Sequence, residues 1–147
     1  MIENLAERRQ NTTKIVRELL EERRQVWALY CDIGGIQPFT ARQPLEGKLQ
    51  EFRQLLIDYI SLGHFGLYQR ITDGTERRRK VLEVAEQIYP RIAAATDVAV
   101  AFNDKYEMLA SVASLAELSD DLSRLGEALA VRGELEDQLL SAMVSRP

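Results

Sequence analysis

The chain has 147 residues, a formal net charge of −4 and one cysteine, Cys31, a length that suits one domain with a substantial core and a cysteine count that excludes an internal disulfide. No apolar run approaches the roughly 18 residues of a membrane span, and the polar start Met1–Glu7 predicts no secretory signal, so a cytoplasmic protein is expected. Abundant Leu, Ala, Glu and Arg, few Gly and Pro, and almost no strand signals predict an all-α fold.

The first helix is predicted over about 4–33. Its apolar stripe is Thr12, Ile15, Val16, Leu19, Val26, Trp27 and Tyr30, spaced by threes and fours. Gly34-Gly35 stops it, and a loop bounded by Pro38 and Pro44 follows. The second helix spans about 45–71 and ends at Thr72-Asp73-Gly74-Thr75. With Leu49 as zero and about 100° per residue, Leu45, Leu49, Phe52, Leu56, Tyr59, Ile60 and Gly63 share the core direction. Asp58, Ser61, Phe65 and Tyr68 fall on the far side or its shoulder. Large rings that point away from a core belong under a neighbouring element or in a binding surface.

The third helix is predicted over about 76–105, with Val81, Val84, Ile88, Ile92, Ala95, Ala99 and Phe102 inside. Pro90 removes a backbone donor, which predicts a kink or short break near Gln87–Pro90. The basic run Arg77-Arg78-Arg79-Lys80 points four ways around the helix and reads as a solvated start, not a nucleic-acid patch. The fourth helix, about 108–144, carries the seam Leu115, Leu118, Leu122, Leu125 and Leu129, continued by Leu135, Leu139 and Met143. Short connections make neighbours antiparallel. The expected architecture is a single up-and-down four-helix bundle spanning residues 1–147.

Catalytic signals are weak. His64 is the only histidine and stands six residues after Asp58, off any shared face. No Ser-His-Asp set or activated cysteine can be read. Ser61 precedes His64 where a Glu-x-x-His metal motif needs Glu, so no metal or other cofactor is expected. Gly63 falls on the core side, where a mid-helix glycine costs up to about 1 kcal/mol and implies close approach of another helix. Gly133 poses the same question in the fourth helix. From Asp104 to Asp137 there are nine acids and three bases. That balance disfavours nucleic acid and suits either a basic protein partner or a solvated face.

Asp58-Tyr59-Ile60-Ser61-Leu62-Gly63-His64-Phe65 with Tyr68 closely resembles the Asp-Tyr-x-Ser-x-Gly-His-Phe-x-x-Tyr motif of the Rsd/AlgQ family, regulators of the housekeeping sigma factor of bacterial RNA polymerase. Gly35-Ile36-x-Pro38 is similar to that family's first loop. Leu125-Gly126-Glu127-Ala128-Leu129 with Arg132 and Leu135-Glu136-Asp137 is similar to its last helix, and Lys14 through Arg23 to its first. Arg17 and Leu19 depart from the family's Asp and Trp, whereas Leu20 and Arg23 agree. The resemblance implies a non-catalytic bundle, a monomer or weak homodimer when free. It implies binding to region 4 of the primary sigma factor, with no direct contact to nucleic acid or membrane. Asp58, Ser61, Phe65 and Tyr68 are expected as one contact stripe, with His64, Arg23 and Leu20 beside it. Gly63, Tyr59, Glu127, Arg132, Glu136 and Asp137 are expected to align the helices, the last four through ion pairs. An adaptor for another regulatory protein, using the same face, is the alternative.

Overall fold

The structure, a computed structural model, describes residues 5–35, 43–69, 78–107 and 112–144, and the side chains of these except 5–12, 43–44, 65–67, 112–115 and 144. The described residues form four long helices: α1 (Leu5–Gly34), α2 (Gln43–Leu62, continued by a π-helical turn Gly63–Tyr68), α3 (Arg79–Lys105) and α4 (Val112–Val144). The fold is all-α, a four-helix bundle. The expected loop Ile36–Phe39, the break at Thr72–Thr75 and the side chains of Phe65 and Leu115 lie outside the described residues.

Each helix follows from its apolar period. In α1 the stripe buries Leu19, Val26 and Ile33, with Ile15, Val16, Trp27 and Tyr30 partly covered around them. At its end Gly35 N–H donates to Cys31 and Asp32 carbonyls at 3.1 and 3.2 Å, closing the last turn. In α2 the whole predicted stripe from Leu45 to Ile60 is buried. The leucine seam of α4 points inward, from Leu118 through Leu139. Ring contacts stitch the helices together: Tyr30 with Phe52 at 6.2 Å between α1 and α2, and Phe52 edge-on to Phe102 at 6.0 Å between α2 and α3.

Cross-helix pairs fix the directions. Tyr30 meets Phe52 and Asp32 meets Lys48, so α1 and α2 are antiparallel. Arg53 donates to the Asn103 carbonyl and Gln50 to that of Tyr106, with Tyr68 packed on Tyr89 farther along, which opposes α2 and α3. Lys105 pairs with Asp121 and Arg132 with Thr96, which opposes α3 and α4.

Of the two outcomes expected at Pro90, a kink or a short break, the break does not occur: α3 runs on through Pro90, which lies on an exposed face. Arg78, Arg79 and Lys80 of the basic run are all exposed, as expected of a solvated start, and the Arg78 guanidinium also donates to the Met143 carbonyl at the end of α4. A cation there meets the negative end of the helix dipole.

Candidate functional site

The motif segment builds two surfaces, one facing inward and one outward. On the inner side, Tyr59 donates its hydroxyl to Glu136 Oε1. Arg132, on the next turn of α4, holds Glu136 Oε2 through Nε at 3.3 Å and donates through Nη1 to Thr96 Oγ1 at 2.7 Å. The guanidinium also lies 5.2 Å from the centre of the Tyr59 ring. From α1, Arg23 reaches Glu136 at 3.5 Å, Asp137 at 2.9 Å and the Gly133 carbonyl at 3.3 Å. Side chains from all four helices therefore meet in one polar cluster. Arg132 and Glu136 are 1% and 0% exposed, and each is offset by a partner of opposite charge.

The glycines make room for this cluster. A Cβ on Gly63 would stand 2.8 Å from Arg132 Nη2 and 3.5 Å from the Tyr68 ring. The close approach is thus that of a charged side chain, not of a neighbouring helix backbone. Gly133 lies under Arg23, whose nearest atom would be 3.6 Å from such a Cβ. Gly126 has a different reason: any Cβ there would overlap the Tyr30 hydroxyl, which donates to the Leu122 carbonyl at 2.8 Å.

On the outer side, Asp58 is exposed and accepts a bond from Gln54 Nε2 at 3.0 Å. Ser61 is half-buried and His64 exposed. Across the α1–α2 seam stands Glu22. Burial raises its carboxyl above the usual range, and the charges of Asp58 and Glu18 raise it further. Glu22 Oε2 is covered from solvent and has no hydrogen-bond partner among the described residues. Glu18 on α1 and Asp58 on α2 thus both act on the Glu22 charge, and Glu18 is only loosely paired to Lys14 at 3.9 Å. Ile57, 36% exposed, neighbours Asp58 on α2.

Several expected residues sit elsewhere. Tyr68, expected with the outer stripe, is 3% exposed and packs inside against Tyr89. The reason is the π-turn: Gln69 N–H bonds to the His64 carbonyl five residues back. An extra residue in a turn sets everything after it back by about 100°, which carries Tyr68 from the shoulder into the core direction. Burial raises the Tyr68 hydroxyl well above the ordinary tyrosine range, the Glu136 charge adds to this, and the hydroxyl has no hydrogen-bond partner among the described residues. Arg23 reaches across to α4, where it pairs with Glu136 and Asp137. Leu20, 39% exposed, lies on the same flank of α1 as Arg23, away from Glu22. Glu127 is exposed and stands apart from the Arg132–Glu136 cluster. Sequence reasoning passed over Glu18 and Glu22, although their four-residue spacing beside the α1 stripe places both on one flank. It also passed over Thr96 and the Tyr30–Gly126 fit.

No helix among the described residues is long and apolar enough to cross a membrane, and no group of three or more potential ligands there is gathered to hold a metal ion. The polar groups of the interior hold helices together, and the outer seam presents carboxylates to whatever approaches. The family that this bundle matches is one of regulatory proteins. The chain belongs to the Rsd/AlgQ family, regulators of the RNA polymerase sigma(70) subunit, whose model matches residues 1–144. It is 33% identical over 143 residues to the "Regulator of sigma D" of Yersinia enterocolitica, covering 95% of this chain and 86% of the relative. The regulators of sigma D from Yersinia pseudotuberculosis and Shigella dysenteriae are each 33% identical as well, over 95% of this chain and 85% and 89% of their own lengths. No solved structure matches the chain.

Proposed function

We propose that this protein is an anti-sigma factor that binds region 4 of the primary sigma factor and withholds it from the promoter −35 element and from core polymerase. The observation that carries the reading is that Glu18 and Asp58 both act on the Glu22 charge at the α1–α2 seam. A module that reads DNA presents Arg and Lys placed for phosphates. Carboxylates that crowd one another and lack a full complement of bases complement such a surface. Ile57 offers apolar area beside them. Occlusion needs no chemistry, only a shared surface.

Calorimetry with isolated region 4 tests the reading. The parent chain binds, and Asp58→Ala and Glu22→Gln each weaken binding about tenfold or more, in the range of interface residues that matter. Phe65→Ala tests the motif residue whose side chain lies outside the described residues. Unchanged affinity in all three variants would remove the site; absence of binding by the parent would remove the function.

A further inference from the structure

The π-turn Gly63–Tyr68 places a tyrosine in the interior with its hydroxyl unpaired among the described residues. A π-turn is a strained way to continue a helix, and it recurs at functional positions. Here it has an obvious alternative. If the turn closed with ordinary four-residue bonds, Tyr68 would rotate by about 100° onto the shoulder of α2 that carries Ser61, seven residues earlier on the same face. The hydroxyl would regain water, and the ring would lose its burial against Tyr89. These opposing effects are of comparable size. The neighbouring cluster of Tyr59, Glu136, Arg132 and Arg23 closes on itself without Tyr68.

We propose that Gly63–Tyr68 is a register switch, exchanging between a π form with Tyr68 inside and an α form with Tyr68 outside, and that a bound partner selects the α form. The coupling to a partner rests on the sigma-binding reading above; the exchange itself does not. In the outward form Tyr68 joins Ser61 and Asp58, so the contact surface is completed only when the turn unwinds its extra residue.

Chemical exchange saturation transfer on backbone amides of the full-length 15N-labelled chain tests both halves. The expected result for the free protein is a minor state that appears at residues 63–69 and is absent from the earlier turns of α2. Tyr68→Phe, which has no hydroxyl to rehydrate, reduces its population about fivefold. Deletion of Gly66, which removes the extra residue, abolishes it; should that variant not fold, Tyr68→Phe alone decides. A missing minor state, or one whose population Tyr68→Phe leaves unchanged, overturns the switch. Adding sigma region 4 is expected to move these amides to the minor-state shifts. Binding that leaves them at the major-state shifts overturns the coupling. If region 4 does not bind at all, the sigma reading fails, and the free-protein measurement still decides the exchange.

Discussion

At the scale of single residues, the interior cluster sets the tightest constraints. Arg132 cannot retreat from a Cβ on Gly63, because Thr96 and Glu136 already hold two of its nitrogens. Gly63→Leu should therefore cost about 1–3 kcal/mol or more through overpacking, whereas Leu62→Ala trims a half-buried side chain and should cost less. Equal melting temperatures for the two variants would refute this. Tyr59 gives a second test. Burial raises its hydroxyl far above the ordinary value of 10.0, and Glu136 raises it further by its charge and by accepting the bond. A folded state that keeps a proton the unfolded chain releases is stable below pH ~10 and loses stability as pH climbs beyond it, by about 1.4 kcal/mol per unit for each such group. Tyr59→Phe should lower stability at pH 7 by about 1–3 kcal/mol, since Glu136 loses a donor. It should also flatten the decline above pH 10. Denaturant unfolding from pH 8 to 11 reads both effects, and an unchanged slope would mean that Tyr59 does not titrate in this way.

At the scale of elements, α1 and α2 pack well but meet at a seam of like charges. Glu22 has its carboxyl raised by burial first and by Asp58 and Glu18 next. The folded state therefore binds that proton more tightly than the unfolded chain, and the ionised carboxylate is a liability at neutral pH that acid relieves. Glu22→Gln should stabilise the protein at pH 7 by a few tenths of a kcal/mol after solvent screening, and the gain should vanish as pH falls below the ordinary glutamate range. Thermal melts at pH 7 and pH 4 check this; a variant no more stable than the parent at pH 7 would show the seam to be neutral. The same elements show what the sequence could and could not reveal. Helices, stripes and the buried Tyr59–Ile60 step were legible because a 3.6-residue period constrains every position of a regular helix. Tyr68 was not, because one added residue in a turn leaves no mark in the residue types and yet rotates all that follows. Arg132 and Glu136 could be named as a pair from their four-residue spacing. That Thr96 and Arg23 would complete the cluster depends on the register between helices, which no single helix encodes.

At the scale of the whole molecule, the cluster that joins four helices and the seam that faces outward respond differently to change. A buried ion pair contributes little net stability, yet losing one partner strands the other charge. Arg132→Met alone should cost about 3–5 kcal/mol by leaving Glu136 without Arg132, while Arg132→Met with Glu136→Leu should recover much of that loss. Cumulative loss in the double variant would argue that the pair is net stabilising. The outer seam should instead act on the rate of encounter. Exposed carboxylates steer a cationic partner from a distance, and salt screens them within about 10 Å at 0.1 M. Raising salt from about 0.05 M to about 0.5 M should therefore slow association of the parent with sigma region 4 about tenfold or more. The triple variant Glu18→Gln, Glu22→Gln, Asp58→Asn should associate slowly at both salt concentrations, with a flatter dependence. Stopped-flow association rates measure this directly. If parent and triple variant share one salt slope, the steering charge lies elsewhere, and the acidic residues of α4 become the surface to test next.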